Sequence, residues 1–109
     1  LTLETGWGAL YDAGYDRMKT QRSGCHIGVF VGISGSDWHW VPLPPNVQAG
    51  MGSSEAIIAG RVTFALNIKG PAQIINTACS ASLTAMHSGK LHLLFPYDKM
   101  EAALTTGIS

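Results

Sequence analysis

Charge is scarce in this sequence: Asp, Glu, Lys and Arg make up 13% of its 109 residues, about half the ~25% usual in soluble domains. So few charges on so short a chain imply that much of its surface is covered, by more polypeptide or by a partner. Net charge is lacking as well. Seven basic residues balance seven acidic ones, so no field draws in nucleic acid or an anionic membrane, and neither is expected as a partner. The one basic cluster, Arg17, Lys19 and Arg22, reads as a solvated loop. Long hydrophobic runs are missing: the longest, around IGVFVGI, falls far below the ~18–20 residues of a membrane span. Gly24, Gly28 and Gly32 repeat at a four-residue spacing, but in a segment rich in Val, Ile and Phe they suit close approaches to a buried strand. Cysteine is limited to Cys25 and Cys79, enough for one disulfide at most. No secretory signal is recognisable ahead of them, so a reducing, cytoplasmic setting is expected. No His and Cys pair has the spacing of a zinc site. The acidic residues are too scattered for a paired-carboxylate acid–base site.

What is present amounts to one domain at most, or a piece of a larger one. Leu3, Trp7 and Leu10, with Ala9 and Ala13 alongside, form an apolar helical stripe that Gly14 would cap. Residues 15–26 read as a polar loop. IGVFVGI (27–33), a continuous apolar run bounded by glycines, predicts a buried parallel strand. From Ser34 to Gly52 three prolines and several glycines predict a long irregular loop, in which Trp38 and Trp40 need burial against something. Ser53 or Ser54 can cap a helix in SEAIIAGRVTFALN, ending near Asn67 and Gly70. AQIINTA (72–78) predicts a second strand. From Cys79 a helical pattern runs to Phe95, with Leu83, Met86, Lys90, Leu91 and Leu94 at helical spacings, and Pro96 closes it. A last strand is expected over residues 102–108. This order is an α/β arrangement whose strands should be parallel and covered on both faces. The chain starts at Leu1 within a helical pattern and its last residues, AALTTGIS, are strand-like, so both ends are expected to be cut.

Cys79 is the candidate with chemistry. It stands where a strand pattern gives way to a helical one, and a helix start stabilises a thiolate. That setting can move a thiol pKa from ~8.5 to roughly 3.5–7.5. The first-turn N–H groups are then expected to serve a developing oxyanion on an acyl group. Ala78, Ser80, Ala81 and Ser82 are small enough to let a substrate approach. The rival reading is packing, because a small apolar thiol is also at home in a core. The other candidates are weaker. His87 follows Cys79 by eight residues on one helical pattern, about 12 Å along the axis at 1.5 Å per residue. That is too far for a base, so His87 and His92 read as packing or surface residues. His39, between two tryptophans, reads as structural, and Cys25 as a structural thiol. GMGSSE (50–55) imitates a dinucleotide fingerprint but follows a proline-rich loop, and GISGS lacks the Lys and Ser/Thr of a phosphate loop.

NTACSASL, around Cys79, resembles the active-site signature of β-ketoacyl synthases, the condensing enzymes of polyketide and fatty-acid synthesis, which typically read Asp-Thr-Ala-Cys-Ser-Ser-Ser-Leu. LETGWGALYDAGY resembles the family's LET-AW-EALEDAGY helix, GVFVGISGSDW its following strand, and IIAGRVTFALNIKGPAQIINTACSASL its central block. The form Cys-Ser-Ala-Ser-Leu is closer to polyketide synthases and multidomain fatty-acid synthases than to discrete bacterial condensing enzymes. The resemblance implies a thiolase-like α/β fold, here one incomplete half of the layered α-β-α-β-α architecture. It implies a homodimer in which AQIINTA pairs with its twin across a two-fold axis. Cys79 would be the catalytic nucleophile, taking an acyl chain from phosphopantetheine on an acyl carrier protein and condensing it with a malonyl-type extender. No cofactor or metal bound by the chain itself is implied.

This sequence departs from the family pattern at several places. Asn76 stands for Asp, Ala81 for Ser, TTG (105–107) for a run richer in glycine, and Pro96 for a glycine-containing turn. The two family histidines correspond to none of His26, His39, His87 or His92 and are expected beyond Ser109, so the chain alone is expected not to complete a condensation. Three other readings stay open: a non-catalytic relative used for dimerisation or carrier-protein docking, a thiolase or chain-initiating synthase, and an unrelated α/β domain with a core cysteine.

Overall fold

In a computed structural model of the chain, the residues described are 1–16, 25–35, 42 and 54–108. The expected loop carrying Arg17, Lys19 and Arg22, the Trp38–His39–Trp40 stretch and Ser53 lie outside them.

The central element is strand β1 (Ile27–Ile33), buried at every position. Its Ile, Val, Phe and Gly residues carry no polar side chain, as a strand covered on both faces requires. Strands β2 (Ala72–Ile75) and β3 (Ala102–Ile108) flank it, giving a parallel sheet of order β2-β1-β3. The helices are α1 (Thr2–Asp12), α2 (Ile58–Leu66) and α3 (Ala81–Leu94). Short 3-10 turns, Glu55–Ile57 and Ala78–Ser80, lead into α2 and α3. Parallel neighbours need crossover connections of one hand. The chain steps from β1 to β2 through α2 and back past β1 to β3 through α3. Reversing the step while keeping the hand puts the two helices on opposite faces, where they are found.

On one face Ile27, Val29, Val31 and Ile33 pack with Leu10, Val62, Ile68 and Leu104 as the main core. Cys25 belongs to it, 4% exposed, and its carbonyl accepts the amides of Ile27 and Lys69 at 2.9 and 2.8 Å. The apolar stripe expected on α1 is narrower than Leu3, Trp7 and Leu10. Gly6 and Leu10 are its buried residues and Leu3 is 41% exposed, because Gly6 closes on Leu104 and sets the helix's rotation. Gly14 ends α1 as expected. It has φ +88°, and the paired bonds Gly14 N–H to Tyr11 O and Tyr15 N–H to Leu10 O make a left-handed cap. Asn67, φ +50°, closes α2 in the same way, with Ile68 N–H donating to Thr63 O. Ser54 occupies the position before the 3-10 turn but makes no side-chain capping bond.

The opposite face is built from small residues. Gly28 and Gly32 of β1 register with Ala103 and Gly107 of β3, and α3 lays Ala81, Ala85 and Gly89 on them. A Cβ on Gly32 would stand 2.5 Å from the Ala81 carbonyl carbon, and one on Gly107 2.6 Å from Ser82 Cβ. This corrects the stripe expected on α3. Leu83, Met86, Lys90, Leu91 and Leu94 all point outward, Leu83 and Leu94 with 69% of their surface exposed. Large side chains cannot occupy an interface in which backbone nearly touches backbone, so the stripe of small residues wins. The strand expected over 72–78 also ends sooner, at Ile75, and α3 begins at Ala81 rather than Cys79. Its far end is as expected: Phe95 turns to extended backbone (φ −81°, ψ 114°) ahead of Pro96.

A polar clamp fixes β2 to α3. Ser88 Oγ–H donates to Gln73 Oε1 (3.0 Å), Gln73 Nε2 donates to His92 Nε2 (3.2 Å), and His92 Nδ1 lies 2.6 Å from Asp98 Oδ2. With its Nε2 accepting, His92 holds its proton on Nδ1 and donates it to Asp98. Its ring also stacks obliquely on Phe30, centroids 5.2 Å apart. His92 is therefore a packing residue, as expected, and His87 is exposed.

Two outcomes follow for stability. Gly32→Ala is expected to cost about 1–3 kcal/mol in urea unfolding, because the added methyl meets backbone that cannot rotate away. His92→Ala is expected to cost about 1–3 kcal/mol through the lost bonds and ring contact, while His87→Ala stays within about 0.5 kcal/mol.

Candidate active site

In an open α/β sheet, a crevice forms beyond the carboxyl ends of strands whose following connections go to opposite faces. Here that point lies between β1, which leads to α2, and β2, which leads to α3. A cavity of about 540 Å³ opens there. Gly32 and Ser34 line it from the end of β1, Gly107 and Ile108 from the end of β3, and Ala78, Cys79, Ala81 and Ser82 from the turn and first residues of α3. The Ser34 N–H donates to Ile108 O at 3.2 Å and holds the ends of β1 and β3 together. Glycine at 32 and 107 lets α3 approach the sheet closely enough for Cys79 to reach the cavity.

Cys79 is exposed and carries a free thiol. The packing reading of this residue is thus excluded: Cys25 is the core cysteine and Cys79 is not. The turn that presents it is sharp. Ala78 has φ +52° and Thr77 φ −126°, ψ 36°, and a non-glycine residue in the left-handed region costs about 1–3 kcal/mol. Asn76 Oδ1 accepts the Ala78 N–H at 3.3 Å, an Asx turn of the kind either Asn or Asp can make. The departure at 76 therefore leaves this bond intact. Ala81, the second departure, is 3% exposed and lies against Gly32, where a methyl is at home.

One expectation needs correction. The amides expected to serve an oxyanion are engaged inside the 3-10 turn. Ser80 N–H donates to Thr77 O at 3.3 Å and Ala81 N–H to Ala78 O. Tertiary structure inserts this turn between strand and helix because β2 stops three residues before Ala78. Three hydroxyl residues that the sequence reading passed over, Thr77, Ser80 and Thr84, are joined around the turn. Their spacing of three and four residues at a helix start was the signal available.

None of the described histidines lines the cavity. His92 is held in the clamp, His87 is exposed on α3, and His26 precedes β1 at the other end of the sheet. His39 lies outside the described residues. Among the described residues no group of three His, Cys, Asp or Glu is placed to hold a metal, and no helix is long and apolar enough to cross a membrane. Thr106 Oγ1, in the TTG departure, is buried with no hydrogen-bond partner among the described residues. A second depression of about 650 Å³ lies between α1 and α2, lined by Leu3, Ile57 and Phe64, and carries no nucleophile.

Residues 1–104 match the model of the β-ketoacyl synthase N-terminal domain. The pikromycin polyketide synthase component PikAII of Streptomyces venezuelae is 42% identical over 93 residues, covering 80% of this chain and 2% of that protein. The 6-methylsalicylic acid synthase of Aspergillus terreus is 34% identical over 113 aligned residues, covering the whole chain and 6% of that protein. The polyketide synthase PksL of Bacillus subtilis is 35% identical over 107 residues, covering 98% of the chain and 2% of its own length. The chain thus spans only a few per cent of the relatives it matches. A match running through every element of the sheet, with an exposed cysteine at its switch point, makes this chain a stretch of the β-ketoacyl synthase N-terminal domain family, of the polyketide synthase kind.

Proposed function

We infer that Cys79 is the acyl acceptor of a decarboxylative condensation carried out by the protein to which this domain belongs. The observation that carries this reading is an exposed thiol, on a strained turn, opening into a cavity at the switch point of a parallel sheet. A thiolate there attacks the carbonyl of an acyl group delivered on phosphopantetheine by an acyl carrier protein. A bond forms from Cys79 Sγ to the acyl carbon, the bond to the phosphopantetheine sulfur breaks, and the departing thiolate takes up a proton. In the second half a malonyl-type extender on the carrier loses CO₂. The electron pair left on its α-carbon attacks the Cys79 thioester, a carbon–carbon bond forms, and Cys79 leaves as the thiolate.

The chain's own residues supply the nucleophile, its presentation and part of the cavity wall. The two histidines that assist decarboxylation are placed by the family resemblance beyond Ser109, so the chain alone would stop at the acylated cysteine. The same reading makes the sheet part of one half of a thiolase-like domain and makes β2, which has β1 on one side only, the strand that meets its twin in a homodimer. It also places the protein in the cytoplasm, where carrier-bound thioesters are made. Polyketide synthesis is favoured over fatty-acid synthesis by the relatives' names.

The thiol pair offers an internal comparison. Iodoacetamide is expected to label Cys79 on the order of 10-fold or more faster than Cys25, which reacts only when the core opens. Mass spectrometry of the two cysteine peptides reads this directly. Incubating the full-length synthase with hexanoyl-pantetheine is expected to add a hexanoyl group to the Cys79 peptide and leave the Cys25 peptide unmodified. Cys79→Ala should remove the adduct and the condensation product together. A natural protein that takes no acyl group at Cys79 would instead be a dimerisation or docking relative.

A further inference from the structure

We propose that the hydroxyls of Thr77, Ser80 and Thr84 form a positioning ring for the Cys79 thiol, holding the strained turn in the one shape that presents the sulfur to the cavity. The proposal rests on the reading of Cys79 as acyl acceptor and adds the residues that keep it in place.

The ring closes with one proton per hydroxyl. Ser80 Oγ–H donates to Thr77 Oγ1 at 3.0 Å, and its oxygen lies 2.9 Å from the Thr77 carbonyl as well. Thr77 Oγ1 and Thr84 Oγ1 are 3.2 Å apart. Thr84 Oγ1–H donates to the Ser80 carbonyl at 3.0 Å. With Thr84's proton used in that way, the bond between the two threonines must run from Thr77 to Thr84. Donation then passes in one direction, Ser80 to Thr77 to Thr84 and back to the Ser80 carbonyl, and bonds aligned head to tail strengthen one another.

The ring has a task to perform. Ala78 is in the left-handed region, and such a conformation persists only where its surroundings over-determine it. The backbone bond across the turn is long, Ser80 N–H to Thr77 O at 3.3 Å, and cannot fix the shape alone. Thr77 and Ser80 bracket Ala78 and Cys79, so fixing both ends fixes the two residues between. Thr84 stands on the regular part of α3, whose position is set by the packing of Ala81, Ala85 and Gly89 on the sheet. Through Thr84 the rigidity of that packing reaches the turn. None of the three is among the described residues lining the cavity, so they act through backbone geometry and not by touching substrate.

The test uses full-length synthase carrying Thr84→Val, which keeps the shape and removes the hydroxyl, beside Thr84→Ser, which restores the hydroxyl. The rate of hexanoyl transfer from hexanoyl-pantetheine to Cys79 is measured against substrate concentration, and Cys25 labelling by iodoacetamide gauges the fold. T84V is expected to slow transfer at saturation between about 10- and 100-fold with the half-saturating concentration little changed, because a displaced nucleophile loses attack geometry and not binding. T84S is expected to return to within about threefold of the natural protein. Transfer by T84V at the natural rate, or by T84S as slow as T84V, would overturn the proposal. Should T84V admit reagent to Cys25, Ser80→Ala removes another edge of the ring and carries the test, with slowed transfer in support and an unchanged rate against. A natural protein never acylated at Cys79 overturns the acyl-acceptor reading itself, which T84V at full rate does not.

Discussion

Everything in this domain follows from how closely α3 lies on the sheet. At Gly32 and Gly107 the strands offer no side chain, and the first turn of α3 comes so near that a single methyl at either place would collide with it. Three consequences come from that one contact. The helix must turn its alanines and glycine inward, its leucines and methionine must face outward, and the turn ahead of it is brought against the ends of β1 and β3. A helix held off by leucines, at an ordinary helix–sheet distance, would carry Cys79 away from the cavity its neighbours line.

The second constraint is topological. Stepping from β1 to β2 and then back across to β3, with one hand of crossover, separates the connections leaving β1 and β2. The crevice that results lies at the carboxyl ends of the strands, and Cys79 stands on the connection that leaves β2. Between the end of β2 and the start of α3 the chain must reverse in five residues. It does so by placing Ala78 in a conformation that costs free energy and by engaging side chains on both sides of it. Asn76 holds the Ala78 amide, and the hydroxyls beyond it hold the ends of the turn. Strain of this kind at a candidate nucleophile is what an enzyme needs for a sulfur that stands clear of its own chain.

The departures from the family pattern fall in places that explain why they are tolerated. Asn76 makes a bond through an oxygen that Asp also has. Ala81 is buried against a glycine, where a methyl packs without an unpaired hydroxyl. Pro96 follows a residue that has already left the helix. Thr106 is the exception. Its hydroxyl is buried without a partner among the described residues, and nothing in the structure explains it. The outward apolar face of α3 accounts for the shortage of charge: Leu83, Met86, Leu91 and Leu94 are exposed here, and such a surface belongs against other protein.

The sequence by itself determined the elements whose cause is local. The run IGVFVGI is a buried strand at both of its expected bounds because only a doubly covered strand has seven successive apolar residues, and 102–108 is a strand in full. Gly14 and Asn67 end helices because they tolerate the left-handed region. Cys79 was marked by its place between a strand pattern and a helical one. What periodicity could not show was which face of α3 is buried, because that depends on the absence of side chains at Gly32 and Gly107, residues distant in sequence. Nor could it show the 3-10 turn that separates β2 from α3, or that the amides beside Cys79 are engaged within it. Those were decided by the tertiary structure, since the distance between helix and sheet is fixed by whichever atoms meet first, and here they are backbone.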